Sequence, residues 1–420
     1  MNFEYIMSGP AMCDFERHNA LTVKIMNTYF KDIDFKFSIL FNAMTESKLG
    51  KSINTNYKES VDIMSDSGGL QIVTLGYSNK KATEVKPEIF KTQATYSNIA
   101  MSFDDMPMHI EGNSSGRLDL SNRFFVREKV KEAVKNSVKD LKKQIKVFQQ
   151  EETNCKVMVI VQGNDVASYK EYIESIVEEL SEEELKFVGG IAPSSAANGF
   201  GSLQRFDMLY GINEYNIPNE MKRNVHLLGV GSVDGLTPLT GSPEYFKFID
   251  NLSFDSTSHG RKYRIDGEGF GKYKFDKTHP PEIYRKEYSK IVKYYAKYFT
   301  MAGKYDLNYL IENSTYFSTQ NTKKIWVYNN KESELANTLS HLIGLFVPLK
   351  KIEEIMSILK KRQETPQKIL KDIKTYNDYL YYRKHIVKAY KLTSNKVQSV
   401  ETLAQVKDDI NFKKIITSLF

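Results

Sequence analysis

Cysteine is scarce in this chain of 420 residues. The two cysteines, Cys13 and Cys155, lie far apart and match no metal-binding spacing. A disulfide framework is therefore excluded, and a reducing cytoplasm is the expected compartment. The chain also lacks an apolar run of membrane-spanning length, and residues 1–6 lack the basic and apolar regions of a signal peptide. We expect a cytoplasmic protein without a membrane partner.

A strong charge bias is also missing. Lysine and arginine number 59 against 52 aspartates and glutamates, and the formal net charge of +7 permits a polyanionic partner without requiring one. Hydrophobic residues make up 41% of the chain, which is enough for a substantial core. The length suits a barrel of about 250 residues with an appendage.

Short apolar runs that end in a polar residue or a glycine recur along the first 260 residues. The clearest covers residues 61–71 and ends in the string SDSGG, and six others occupy residues 37–42, 99–105, 157–163, 187–191, 225–231 and 252–255. Segments of helical periodicity separate them, which is typical of parallel strands with crossover helices. We therefore predict an α/β fold, a (β/α)8 TIM barrel with its site at the carboxyl ends of the strands. Seven strands are clear, and the eighth is not.

The helices and domains follow from the same reading. Helices are predicted at residues 87–99, 122–150 with Ser121 as the N-cap, 169–180 and 242–251. Beyond Gly260, lysine and arginine alternate with tyrosine as far as Tyr298, and helices are predicted at 332–346, 349–362 and 367–391, separated by Pro348 and Pro366. We expect two regions: residues 1–304 form the barrel with a basic flank after its last strand, and residues 305–420 form a mostly helical, basic C-terminal extension.

Three predicted strands end in a carboxylate: Asp66, Asp104 and Asp255. In a barrel these would converge on one pocket with Gln162 and the pair Gly189 and Gly190. Two carboxylates in different environments can serve as nucleophile and proton shuttle, as in retaining glycosyl transfer. Carboxylate, amide and backbone groups can instead read the edge of a purine-like base. A lone aspartate at a strand end is more often a turn residue, and His226 is expected to be a buried barrel histidine. Spacing alone thus predicts a barrel enzyme with a carboxylate pair.

Six short strings resemble the tRNA-guanine transglycosylase family. In chain order they are SDSGGLQ (65–71), MSFDD (101–105), VQGN (161–164), GGIA (189–192), LGVG (228–231) and FD (254–255). They follow the family's order and separations over about residues 35–262. The family is a (β/α)8 barrel that exchanges guanine for a 7-deazaguanine without breaking the polynucleotide. The resemblance implies no cofactor, because a covalent intermediate conserves the energy of the glycosidic bond.

The resemblance also implies a role for each matching residue. Asp255 matches the nucleophile that attacks C1′ of the target nucleoside, and Asp66 matches the acid/base residue that handles the proton of the leaving and incoming bases. Asp104 would face the N1/N2 edge of the base, while Gln162 and the amide of Gly190 would face O6. The other substrate-binding positions are Ser67, Gly68, Leu70, Gly189, Ile191, Leu228 and Gly229. Leucine at positions 70 and 228 departs from the family, which often has an aromatic residue at the first and usually methionine at the second.

A missing zinc module moves the expected polymer from tRNA to DNA. The tRNA enzymes carry a Cys-x-Cys-x-x-Cys…His module after the nucleophile, whereas this chain has no cysteine beyond Cys155, so no metal site is expected. A basic, tyrosine-rich stretch takes its place, and five of its residues are expected to contact phosphate: Arg261, Lys262, Arg264, Lys272 and Lys274. A branch of the family, the DNA-guanine transglycosylases of bacterial modification islands and phages, inserts 7-deazaguanines into DNA. We therefore expect guanine in duplex or single-stranded DNA to be exchanged for a 7-deazaguanine such as preQ0, in the host cytoplasm if the protein is encoded by a phage.

Three alternatives stay open. The first keeps the chemistry and makes tRNA the substrate, and the second is a non-catalytic nucleic-acid-binding subunit, against which the presence of both Asp66 and Asp255 argues. The third is a barrel glycosidase for free nucleosides or sugars, which would not need the basic flank. The lysine and tyrosine bias can also be an ordinary solvated surface, and a homodimer or accessory proteins are compatible with the sequence.

Overall fold

The computed structural model describes residues 1–8, 18–77, 79–112, 118–163, 166–195, 209, 211–230, 233, 236, 239–240, 246–256, 290–303, 314–318, 324–328 and 334–364. Ten strands precede residue 257 in this part of the chain: β1 (Asn2–Met7), β2 (Lys36–Asn42), β3 (Asp62–Asp66), β4 (Ile99–Met101), β5 (Met108–Gly112), β6 (Leu118–Phe125), β7 (Lys156–Gly163), β8 (Val188–Ser195), β9 (Asn224–Leu227) and β10 (Asn251–Ser256).

Eight of these strands close into a barrel. Their order is β1-β10-β9-β8-β7-β4-β3-β2, with β2 returning to β1, and every neighbouring pair is parallel. The predicted α/β class and (β/α)8 barrel are therefore confirmed. Because all eight strands run the same way, their carboxyl ends meet at one end of the barrel.

The strand that the sequence pattern leaves unidentified is β1. It pairs with β2 on one side and with β10 on the other, where Ile6 lies beside Asp255. Phe3, Tyr5 and Met7 face the outer core, whereas Ile6 faces the barrel interior. Glu4 shares the inner side with Ile6, and a charged residue there breaks the apolar run that marks the other strands.

Helices cover the outside of the barrel and extend beyond it. They are α1 (Ala20–Asp32), α2 (Ser47–Tyr57), α3 (Gly69–Thr74), α4 (Asn79–Tyr96), α5 (Val130–Gln150), α6 (Val166–Glu178), α7 (Glu182–Leu185), α8 (Asn219–Arg223), α9 (Ala296–Met301) and α10 (Glu334–Glu364). Helix α5 buries Val130, Val134, Val138 and Leu141, which is the face that its sequence spacing predicts. None of the described helices is long and apolar enough to cross a membrane.

Several predicted helix boundaries are wrong. Helix α4 starts eight residues before Pro87 and contains it. Helix α5 starts at Val130 and not at residue 122, because Leu118–Phe125 forms β6 and pairs with β5 in an antiparallel hairpin. The helix predicted at 242–251 lies partly outside the described residues, and Asn251 already belongs to β10.

The barrel interior is a packed core. Ile6, Met64, Met101, Met158, Ile160 and Ala192 fill it, and a larger core lies between the strands and the helices. A filled barrel is not a channel, so the open carboxyl end is the place for a site.

The described part of the C-terminal region packs against the barrel. Helix α10 is continuous through Pro348, so the two helices predicted on either side of this proline form one. The aromatic rings of Phe346 in α10 and Tyr29 in α1 lie 5.2 Å apart. An antiparallel hairpin, β11 (Ser314–Ser318) and β12 (Lys324–Tyr328), occurs where helix was expected. The predicted helix at 367–391 lies outside the described residues, and the division at residue 304 stays a prediction.

Candidate active site

Three carboxylates predicted from strand ends lie at the carboxyl end of the barrel. Asp66 is the last residue of β3, Asp104 follows β4 by three residues, and Asp255 is the penultimate residue of β10. They are close enough to interact, since the charge of Asp255 acts on Asp66 and that of Asp66 acts on Asp104. The structure thus brings the three acids together, as the barrel prediction requires.

Asp255 is held by donors on both carboxylate oxygens. The backbone N–H of Gly229 donates to Oδ1 over 2.7 Å, and the hydroxyl of Ser8 donates to Oδ2 over 3.0 Å. Nε2 of His226 lies 3.5 Å from Oδ1. Burial alone would raise the pKa of Asp255, but His226, Gly229 and Ser8 together hold that pKa below its usual value. Asp255 is therefore an oriented, ionised carboxylate.

The turn after β9 supplies the amide that contacts Asp255. Gly229 has φ +70°, in the left-handed region that favours glycine, and this conformation aims its N–H at the carboxylate. Leu228, the residue before it, is half-buried and packs against the barrel-interior core. Gly229 therefore binds the carboxylate of Asp255 through its backbone N–H.

Asp66 lies in a different environment. The side-chain amide of Asn42 donates to its Oδ2 over 3.0 Å, and the backbone N–H groups of Ser67 and Gly68 also donate to it. Burial raises the pKa of Asp66, and the negative charge of Asp255 adds to the rise, so the pKa stays above its usual value despite these donors. The environments of Asp66 and Asp255 therefore push the pKa values of the two acids apart.

Asp104 and Gln162 form a hydrogen-bonded pair. Nε2 of Gln162 donates to Oδ2 of Asp104 over 2.6 Å. Burial raises the pKa of Asp104 to about 6, against the opposing effect of Gln162 and with a further rise from Asp66. The pair presents acceptor and amide groups next to the two other acids, which suits a hydrogen-bonding ligand.

Two buried side-chain oxygens near the acids have no hydrogen-bond partner among the described residues. They are Oε1 of Gln162 and Oγ of Ser67, on residues that are 3% and 1% exposed. Buried polar atoms are nearly always paired in folded proteins. Both atoms are therefore available to a bound molecule.

The structure does not bring Gly189, Gly190 and Ile191 to the acids. The pairing of β8 with β7 shifts by one residue at Gly189 and is regular from Gly190 to Ser195, so Gly190 lies beside Met158 while Gln162 lies beside Ser194. Four positions along a strand separate the two levels by roughly 13 Å. These three residues lie in the barrel wall, and their contact with a base stays a prediction.

The glycines have a packing reason at that level. A Cβ at position 190 would collide with the carbonyl oxygen of Asn224 in the neighbouring strand, and one at position 189 would lie 2.8 Å from Cβ of Lys156. Ile191 is fully buried in the outer core. Close packing between strands thus accounts for the Gly-Gly pair.

Other predicted positions lie partly or wholly outside what the structure describes. The backbone of Leu70 is in α3, but the placement of its side chain is not described. The predicted phosphate contacts, Arg261, Lys262, Arg264, Lys272 and Lys274, all lie outside the described residues. Contact of these residues with a nucleic acid stays a prediction.

The described end of the tyrosine-rich stretch has a structural role. Tyr295 and Tyr298 are buried and pack against Tyr29 and Phe346. They border a cavity of about 1050 Å³ that is also lined by Asn2, the first residue of β1, so they lie at the end of the barrel opposite the acids. These tyrosines are not a stacking surface for displaced bases, which corrects that interpretation for the end of the stretch.

Three functional residues were missed from sequence. Asn42 ends a predicted strand, so the rule that selected the acids would also have selected it. Ser8 follows β1, which was not recognised. His226 lies two residues before the Leu-Gly turn, and its position beside Asp255 depends on the pairing of β9 with β10.

The described acids do not form a metal site. Among the described residues, no three histidine, cysteine, aspartate or glutamate side chains are grouped so that they could hold a metal ion.

Comparison with solved structures returns chains of low similarity. A protein described as a deoxyribose-phosphate aldolase from Toxoplasma gondii has a TM-score of 0.34 and 8% identity, over 61% of this chain and 90% of its own. The carboxyl transferase domain of Rhizobium etli pyruvate carboxylase has a TM-score of 0.37 and 12% identity, over 60% of this chain and 39% of its own. D-psicose 3-epimerase from Clostridium cellulolyticum has a TM-score of 0.32 and 8% identity, over 61% and 85%. Likeness at this level carries no argument about chemistry. No protein-family model and no curated protein matches the chain.

Proposed function

We propose that this protein is a base-exchange enzyme that replaces guanine in DNA with a 7-deazaguanine. The observation that carries the proposal is the pair Asp255 and Asp66, whose pKa values are shifted in opposite directions at one end of a barrel. A pair of titratable groups with pKa values pushed apart is the arrangement that acid–base and nucleophilic catalysis requires.

Each acid suits one step of a double displacement. Asp255, held ionised, attacks C1′ as the bond from C1′ to the guanine nitrogen breaks, and Asp66 gives its proton to the leaving guanine. The incoming base then loses a proton to Asp66 and attacks C1′, which releases Asp255. Bonds and protons balance over the two steps, and no cofactor is consumed.

The polar groups beside the acids suit a purine. A guanine-like edge offers N–H donors and a carbonyl acceptor, and the pair of Asp104 and Gln162 offers both kinds of partner. The unpaired oxygens of Gln162 and Ser67 are further acceptors for base N–H groups. Nε2 of Gln162 has a second hydrogen, which can donate to a base carbonyl while the first stays on Asp104.

The choice of DNA rests on the sequence. The stretch that follows Asp255 is basic, contains no cysteine and lies outside the described residues. A site that displaces a base from C1′ also needs the nucleotide out of its stack, which is easiest in a single strand.

Label incorporation tests the proposal. The protein is incubated with radiolabelled guanine or preQ0 and with duplex DNA, single-stranded DNA or tRNA, and the label in each polymer is counted. We expect label in DNA that disappears in Asp255→Asn. Asp250→Asn is the matched control, because Asp250 precedes the same strand and is largely exposed beside Arg223.

The outcomes separate the alternatives. Label in tRNA alone would support the same base-exchange reaction with tRNA, and not DNA, as the substrate. No label in any polymer would contradict catalysis by the isolated chain and favour a binding subunit.

A further inference from the structure

We propose that His226 is a positioning residue that keeps Asp255 ionised and correctly oriented. The claim about the ionisation of Asp255 stands on the geometry alone, and its consequence for catalysis rests on the function proposed above. No sequence motif assigned such a role to this histidine.

The imidazole of His226 is fully buried between two side chains of β10. Nδ1 lies 2.9 Å from the hydroxyl oxygen of Ser253, and Nε2 lies 3.5 Å from Oδ1 of Asp255. Ser253 is the residue paired with His226 across β9 and β10, and Asp255 is two positions further along. Residues two apart on a strand share a face, so the ring spans both.

The tautomer of the ring decides what it can donate to Asp255. When the Ser253 hydroxyl donates to Nδ1, the remaining N–H is at Nε2 and points to Asp255, and an imidazolium donates from both nitrogens. A separation of 3.5 Å is long for a hydrogen bond but short for charge interaction in a buried site. In this tautomer and as an imidazolium, His226 favours the ionised form of Asp255.

The other titratable groups whose pKa responds to the charge of Asp255 do not favour that charge. These are Tyr5 on β1 and Asp66 on β3, and the pKa of each is raised in part by the charge of Asp255. In the part of the chain that the structure describes, His226 is the basic side chain that lies against Asp255. Without it, only Gly229 and Ser8 among the described residues would oppose the rise in the pKa of Asp255 that burial causes.

The direct test measures the titration of Asp255 itself. The carboxyl carbons of aspartate are labelled with ¹³C, the Asp255 resonance is assigned with Asp255→Asn, and its pH titration is followed by NMR. His226→Phe retains an aromatic ring without a donor, and His226→Gln places an amide donor near the position of Nε2. We expect the Asp255 midpoint to move up by about one pH unit in the Phe variant and less in the Gln variant.

Kinetics give a second readout that a purely structural role would not change. The acid limb of the reaction of Asp255 with DNA should move to higher pH in His226→Phe, with rescue in His226→Gln and little change in KM. An unchanged Asp255 midpoint in a folded His226→Phe protein would overturn the inference. If that variant does not fold, His226→Leu replaces it under the same criterion.

The NMR readout does not depend on transglycosylation. A shifted midpoint in a protein that incorporates no base would support the role of His226 and contradict only the proposed function. An unshifted midpoint in a protein that incorporates the base would contradict the role of His226 and leave the proposed function supported.

Discussion

The two ends of the barrel both hold buried charge, but they treat it differently. At the amino end, Glu4 is 3% exposed and contacts Ser38 and Lys36, and the amine of Lys36 lies 3.1 Å from Glu4 and 3.2 Å from Asp62. Burial lowers the pKa of Lys36, but Glu4 and Asp62 outweigh it and hold that pKa above its usual value. Each charge there has an opposite partner.

At the carboxyl end, like charges are collected instead. Within the described residues, no lysine or arginine forms an ion pair with Asp66, Asp104 or Asp255. His226, which lies against Asp255, is the only basic residue among the described ones that contacts any of the three acids. Two of the three pKa values are raised, which means that the folded state holds these carboxylates under unfavourable conditions. The paired charges at the amino end therefore stabilise the fold, whereas the raised pKa values of Asp66 and Asp104 lower stability at the carboxyl end, where we propose that catalysis occurs.

The largest expected effect is at the nucleophile. Asp255→Asn should lower incorporation of labelled base by roughly 10⁴-fold or more, because the amide cannot form the covalent intermediate. Its melting temperature should fall slightly, since the variant loses the charge that His226, Gly229 and Ser8 stabilise in the folded state. Activity is measured by label counting and stability by thermal unfolding. Substantial activity in this variant would place the chemistry elsewhere.

The second effect is at the acid/base residue, with a control on the same strand. Asp66→Asn should slow the reaction by about 10² to 10⁴-fold. The wild-type rate of the first displacement should fall as the pH rises through the raised pKa of Asp66, because the leaving base needs the protonated acid. The variant should lose this limb in a pH profile of single-turnover rates.

Asp62→Asn is the control for that experiment. Asp62 begins β3 at the amino end and pairs with Lys36, so its loss should leave the pH profile unchanged. If Asp62→Asn changes the pH profile in the same way as Asp66→Asn, the distinct roles of the two ends of the barrel would be contradicted.

A third effect is a gain in stability that depends on pH. The pKa of Asp104 is about 6 in the folded protein against an ordinary 3.8, so the folded state binds more protons between these values. Wild-type stability therefore decreases as the pH rises through this window, and Asp104→Asn lacks this contribution. The free energy of unfolding of the variant relative to wild type should increase by about 2 kcal/mol between pH 4 and pH 7. Urea unfolding at both pH values measures it, and an equal difference at both would contradict the account.

The smallest effect is expected at the amino end. Glu4→Gln should lower the free energy of unfolding by about 1 kcal/mol, because the half-exposed amine of Lys36 loses one of its two carboxylate partners. Activity per folded molecule should stay at the wild-type level. Chemical unfolding and the label assay measure the two quantities. Lost activity with full stability would show that the amino end of the barrel takes part in the reaction.

Strand ends are the part of the site that could be predicted from the sequence. Asp66 and Asp255 each close an apolar run, and apolar runs identify buried strands without knowledge of their neighbours. Asp104 follows the same rule. The alternation of strand and helix was also enough to predict the barrel.

What failed depends on contacts between distant residues. Strand β1 is recognised by its pairing with β10, about 250 residues away, and the charge of Glu4 is tolerated because Lys36 lies next to it. The extent of β8 places Gly190 below the site, and local sequence does not give the length of a strand. The same holds for β6, whose last four residues were assigned to the helix predicted at 122–150 but belong to the hairpin with β5.

A covalent trap tests most directly whether Asp255 is the nucleophile. The protein is incubated with DNA without an incoming base and denatured, and the cross-linked peptide is identified by mass spectrometry. We expect a nucleic-acid adduct on the peptide that contains Asp255. This adduct should be absent from Asp255→Asn and present in Asp250→Asn. An adduct at another residue, or active exchange without any adduct, would contradict Asp255 as the nucleophile.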